Sequence, residues 1–176
     1  WDSVLYEKDP AVKFDKLVDC LVPYVGAGIR KYLLDLFMTD FLNGNPDRHL
    51  SNIDVIYRNG EYKMAPFFDY GLSWYAQDDV DPITRDNVAE AVASISFRPF
   101  NLRGKTFYQF LVSQGAVLEI PSDWEVKLEK LKQVIDSLHG LYDADFLDSR
   151  VLLLESRMEY IRKLQYSNSC LEKHLR

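Results

Sequence analysis

The run DFLNGNPDRHLSNI at 40–53, followed by DVIYRNGEYKM at 54–64 and APFFDYGLSW at 65–74, decides how this chain is read. Asn43-Gly44 offers a helix stop, since glycine enters the left-handed conformation at little cost. Ile53, Val55 and Tyr57 then alternate with Asp54, Ile56 and Arg58, Asn59-Gly60 supplies a two-residue turn, and Tyr62 and Met64 alternate with Lys63. Asn-Gly suits a type I′ turn because both residues tolerate positive φ, so the pattern predicts a β-hairpin over 53–65. Two strands alone are marginal in water. The hairpin therefore needs helices to lie against, and the apolar segment just before it is the expected partner. The order of helix, polar loop, hairpin and acidic loop places Asp47, Asn52 and Asp69 at one end of the hairpin.

Upstream, Phe14, Leu17, Val18 and Leu21, then Ile29, Leu33, Leu34, Phe37 and Phe41, recur at helical steps, punctuated by Pro23 and Gly26. The segment over 28–42 is apolar around much of its circumference, the pattern of a central core helix. Downstream, 76–104 reads as loop-rich with a short helix over 84–94, and a further helix is predicted over 106–113. The acidic cluster Asp78, Asp79 and Asp81 matches no calcium-loop spacing and reads as a solvated loop. Ser122 and Glu125 fit a capping box, after which Trp124, Leu128, Leu131, Ile135 and Leu138 follow a helical stripe that Gly140 ends. Leu147, Val151, Leu154, Met158 and Ile161 repeat those steps. The two stripes predict an antiparallel helical hairpin over 122–165 with both faces in the core. The expected fold class is α+β, mostly helical, in one domain over 1–176.

Composition agrees with that scale. The 176 residues are 47% hydrophobic and 14% aromatic, enough for a sizeable core and too apolar for a disordered chain. Acidic residues outnumber basic ones 27 to 21, a net charge of −6, which disfavours a broad basic surface for nucleic acid. Cys20 and Cys170 lie far apart with no CxxC spacing, so they read as reduced, buried thiols of a cytoplasmic protein rather than as zinc ligands or a disulfide. No apolar run approaches the roughly 18 residues of a membrane span. There is no Gly-x-Ser-x-Gly elbow and no His-Glu-x-x-His; of the three histidines, His139 and His174 fall on the helical tail.

Phosphoryl transfer from a nucleotide needs the groups that this order can bring together: two carboxylates and an amide. One carboxylate accepts the proton of the attacking hydroxyl, while a second carboxylate and an amide oxygen hold Mg²⁺ on the phosphates. In the protein-kinase layout the base Asp and the metal-binding Asn are five residues apart, with the Asp of a D-F-G loop one hairpin later. Asp47 and Asn52 have that spacing, and Asp69-Tyr70-Gly71 stands where D-F-G would stand.

On these residues, Gly44-Asn45-Pro46-Asp47-Arg48-His49-x-x-Asn52 and Ala65-Pro66-Phe67-Phe68-Asp69-Tyr70-Gly71-Leu72-Ser73, the sequence resembles the C-terminal lobe of HipA-like serine/threonine kinases. That bacterial family is named for a toxin of toxin–antitoxin systems and is distantly related to phosphoinositide lipid kinases, which share an Asp-Arg-His-x-x-Asn loop. The resemblance is specific over 40–74; Phe97-Arg98-Pro99-Phe100 and the helical tail are merely compatible with it. It implies a kinase-like C-terminal lobe whose hairpin carries a catalytic loop (43–52) and a metal loop (66–74). It further implies Asp47 as catalytic base, Asn52 and Asp69 as Mg²⁺ ligands, and Asn45, Arg48 and His49 as loop organisers. Asp40 is expected to brace the loop by accepting backbone N–H groups. Pro46 departs from the family's frequent threonine and Tyr70-Gly71 lies closer to D-F-G than usual, yet neither change removes a functional group.

ATP would be the phosphoryl donor and a protein hydroxyl the acceptor, with an antitoxin-like protein as a possible partner and no role for nucleic acid or membrane. None of the eight glycines forms a phosphate-cradling loop, and no strand lysine precedes Asp47. The ATP-clamping N-lobe is therefore missing from this sequence. The start at Trp1 favours a lobe of a longer kinase, inactive alone, over a short partner-binding module derived from such a lobe. A phosphoinositide-type lipid kinase is the third reading, disfavoured by the lack of a basic cluster for an anionic membrane.

Overall fold

In the computed structural model, which describes residues 1–73, 83–118 and 123–174 (for Trp124 and 167–174 the backbone only), the polar loop at 44–54 is set by the helix before it and the hairpin after it. The helices α1 (Asp2–Leu5), α2 (Pro10–Val25) and α3 (Ile29–Asn43) lead into a single 3₁₀ turn at Leu50–Asn52, then the hairpin β1 (Val55–Arg58) and β2 (Glu61–Met64). After these come α4 (Val88–Ser94), a second small hairpin of β3 (Ser96–Phe97) and β4 (Leu102–Arg103), α5 (Gly104–Ser113), α6 (Trp124–Asp136) and α7 (Ala144–His174). The fold is α+β and mostly helical, with two small antiparallel sheets. Its residues form two compact units: Trp1–Ala76 with Ile95–Val117, and Gln77–Ser94 with Leu118–Arg176.

The first unit follows the sequence pattern closely. Asp9 caps α2 by accepting from the Ala11 and Val12 N–H groups, with Pro10 at the first helical position where no N–H is required. Pro23 does not punctuate α2; it lies within it, and the helix ends at Gly26 (φ 78°). Along α3, Ile29, Leu33, Leu34, Leu36, Phe37, Met38 and Phe41 are all buried, as expected of a helix packed on several sides. Phe14, Phe37, Phe100 and Phe107 interlock around it, with Phe97 stacked on Phe107 at 4.6 Å. Each such ring is worth about 1.5–3 kcal/mol of apolar burial. Gly44 ends α3 in the left-handed conformation (φ 63°), which turns the chain sharply into the polar loop.

Asn59 and Gly60 carry the positive φ values of a type I′ turn, 55° and 84°, and fix the register Val55↔Met64 to Arg58↔Glu61. The hairpin lies against α2, where Tyr24 meets Tyr62 edge-on at 5.5 Å, rather than chiefly against α3. The physical reason is that α3 already buries its apolar circumference among helices and the second hairpin; beyond the end of β2, Tyr32 donates to Ala65 O.

In the second unit α7 is the core element, with Leu147, Leu153, Leu154, Met158, Ile161 and Leu164 buried. Arg162 pairs with Glu125 and Lys132 with Glu155, which fixes α6 and α7 as antiparallel. The α6 stripe, however, is not core: Leu131 is 43% exposed, and α7 packs most extensively against α4, where Val88 and Val92 are buried. An amphipathic stripe states which face is apolar, not which neighbour covers it. The α4 helix is shorter than the predicted 84–94, because Asn87 Oδ1 accepts from Thr84 N and holds the preceding residues in a turn. Ser122 of the expected capping box, Trp74, and the cluster Asp78, Asp79 and Asp81 lie outside the described residues, as does the side chain of Cys170; Cys20 is a free thiol, half-buried rather than buried as expected. Among the described residues, no helix is long and apolar enough to cross a membrane.

Candidate active site

The polar loop is held from below by three fully buried side chains, Asp40 from the last turn of α3 and Asn45 and Arg48 from the loop itself. Arg48 Nε donates to Asp40 Oδ2 and Nη2 to Oδ1, both at 2.9 Å, a two-pronged pairing that suits the planar guanidinium. Asn45 Nδ2 donates to the same Asp40 Oδ1 at 2.8 Å, and Asn45 N donates to Asp40 O at 2.9 Å. Asp40 thus braces the loop mainly through side-chain donors, where backbone N–H donors were expected.

Electrostatics follow from burial. Desolvation pushes the Asp40 carboxyl above its ordinary range, against the pull of Arg48 and Asn45. Burial alone would lower the Arg48 guanidinium, but the hydrogen bonds and charge of Asp40 leave it raised. Tyr70, whose ring lies 4.9 Å from the Arg48 guanidinium carbon, has its phenol raised by burial and by the Asp40 charge.

From this base the network reaches both loops that flank the hairpin. Arg48 Nη1 donates to Asn52 O at 3.1 Å and to Phe68 O at 2.7 Å, so the backbones of residues 52 and 68 are no more than two hydrogen bonds apart. Asn45 Nδ2 also approaches Asp69 O at 3.5 Å, and Asn45 Oδ1 accepts from Asp47 N at 3.3 Å. The geometry brings Asp47, Asn52 and Asp69 onto one scaffold. His49 takes part through its backbone, donating to Asp47 O and accepting from Asn52 N; among the described residues its imidazole makes no hydrogen bond.

The oxygens left available matter most. Asn52 Nδ2 donates to Asp47 O at 3.2 Å, which fixes the amide orientation and leaves Asn52 Oδ1 without a donor among the described residues. The Asp69 carboxylate has no hydrogen-bond or ion-pair partner among the described residues, and Asp69 adopts φ 58°. The other two non-glycine residues with positive φ, Asn59 and Asn101, are asparagines in hairpin turns. Asp69 is held in this conformation away from any such turn, the kind of local strain that concentrates at functional sites. One carboxylate and one amide oxygen suit a hard cation such as Mg²⁺, which keeps several waters and binds phosphate oxygens besides. Among the described residues, no group of three or more His, Cys, Asp or Glu is placed to hold a metal ion.

The sequence did not single out Arg98. Its Nη1 donates to Asp47 Oδ1 at 2.7 Å across 51 residues of chain. The only hint in the sequence is an Arg-Pro step set between two phenylalanines, Phe97 and Phe100, that can anchor a turn in the core. Compared with protein-family models, curated proteins and solved structures, the chain matches none.

Proposed function

We propose that this chain is the catalytic lobe of an ATP-dependent phosphotransferase of HipA-like type, which moves the γ-phosphoryl group of ATP to a serine or threonine hydroxyl. One observation carries the reading: Asp47, Asn52 and Asp69, spaced as in kinases, are tied to a single buried Asp40–Asn45–Arg48 scaffold. Asp47, partly exposed, accepts the proton of the attacking hydroxyl. Asn52 Oδ1 and the Asp69 carboxylate hold Mg²⁺, which when bound neutralises charge on the nucleotide phosphates. The scaffold spends no reorganisation on each turnover, because its hydrogen bonds fix both loops before substrate arrives.

The eight glycines supply no phosphate cradle, so the test belongs to the complete protein. Asp47→Ala and Asp69→Ala are each expected to lower transfer of labelled γ-phosphate from ATP by about a hundredfold or more, with unchanged circular dichroism. Undiminished transfer in either variant overturns the assignment and leaves a non-catalytic, partner-binding lobe as the reading. Faster labelling of phosphoinositide than of protein would move the acceptor to lipid.

A further inference from the structure

We infer that Arg98 is the positioning residue for Asp47, an inference that rests on the kinase reading above. The side chain reaches the carboxylate while the Arg98 backbone N–H donates to Pro46 O at 3.4 Å, so one residue addresses both Asp47 and the residue before it. Arg98 itself is fixed from several directions. Phe97 and Phe100 on either side of it are buried in the aromatic core, Asn101 N closes the turn onto Phe97 O, and Lys13 Nζ donates to Pro99 O at 3.0 Å. The guanidinium is nevertheless 57% exposed and Asp47 30% exposed.

An ion pair in so much water contributes little to stability, and a loose surface arginine would serve equally well for solubility. What the anchored turn does provide is direction. With Asn45 on its backbone N–H and Arg98 on its Oδ1, Asp47 is held at its main chain and at one carboxylate oxygen, and Oδ2 has no donor among the described residues. That oxygen is the one left to take a hydroxyl proton. A general base must present its acceptor oxygen within hydrogen-bond reach of the reacting hydroxyl, and small misplacements are costly in rate.

The test is steady-state kinetics of the complete protein with Mg-ATP and its protein acceptor, on Arg98→Ala, Arg98→Lys and Asp47→Ala, and on Arg98→Ala combined with Asp47→Ala. Arg98→Ala should lower kcat about ten- to a hundredfold with KM for both substrates within twofold and an unchanged melting temperature. Arg98→Lys should recover part of that loss, and Arg98→Ala should have no further effect once Asp47 is alanine. A kcat within twofold of wild type, a loss carried by KM for Mg-ATP, or additive effects in the double variant each overturn the inference. If Asp47→Ala is inactive while Arg98→Ala keeps a kcat within twofold of wild type, only the role of Arg98 fails; if Asp47→Ala keeps full activity, the kinase reading fails with it.

Discussion

Removing the charge of Asp40 tests the scaffold most directly. Asp40→Asn keeps the size and shape of the side chain but leaves the fully buried Arg48 guanidinium without its counter-ion and with an amide N–H₂ directed at one of its own donors. Breaking a buried pair from one side costs about 3–5 kcal/mol, because the surviving charge stays desolvated. Against a total stability of about 5–15 kcal/mol for a domain, that is a large fraction. With a urea dependence of roughly 2 kcal/mol per molar, the unfolding midpoint of the unit carrying α3 should fall by about 1.5–2.5 M. Urea titration followed by circular dichroism reads the shift, and amide exchange along α3 assigns it to this unit.

A matched control sits one turn earlier. Asp35 pairs with Lys31 on the surface at side-chain exposures of 53% and 80%, and Asp35→Asn should leave the midpoint unchanged. The pair substitution Asp40→Leu with Arg48→Met should recover part of the Asp40→Asn loss, since it removes the buried charge altogether. Recovery stays incomplete because the carbonyls of Asn52 and Phe68 lose their donor. A midpoint for Asp40→Asn within about 0.5 M of wild type would refute the reasoning, since it would mean that water or another group compensates Arg48.

Two further outcomes follow from local geometry. Gly44→Ala should destabilise the same unit by about 1–2 kcal/mol in urea titration, because a Cβ at φ 63° is strained and would lie 3.2 Å from Ile95 Cδ1. The Glu7 carboxylate is lowered to about 2 by the Lys16 hydrogen bond and by the backbone N–H groups of Asp9 and Lys8, so its contribution is fully present above its ordinary value and is lost as pH falls toward 2; a ¹³C titration should find the wild-type midpoint there, and one moved up toward the ordinary carboxylate value in Lys16→Ala.

What was legible in the sequence was local. The Asn-Gly turn, the Gly44 stop and the apolar circumference of α3 each depend on residues within a few positions of one another, and each took the expected form. The five-residue step from Asp47 to Asn52 was equally local, so the candidate oxygens could be named before their scaffold was known. The rest depends on distance along the chain. Strands of two residues, Ser96–Phe97 and Leu102–Arg103, are too short to show a period of two, so the hairpin that delivers Arg98 left no pattern. For α6, periodicity gave a face without a partner, and α4 occupies much of the α7 surface instead.

The same distinction explains why the site is built on an ion pair at all. Two apolar side chains of the volume of Asp40 and Arg48 would fill the space under the loop without the cost of desolvating charge, and such replacements in other cores are often neutral or stabilising. No apolar side chain, however, donates to carbonyls from two separate loops. Arg48 holds Asn52 O and Phe68 O from a single nitrogen, and it can be buried there only because Asp40 compensates its remaining donors. The Tyr70 ring lies 4.9 Å from the guanidinium carbon, so the residue after Asp69 also contacts this charge. The pair therefore contributes position more than stability: it sets the spacing between the residue that supplies the amide oxygen and the segment that carries the second carboxylate.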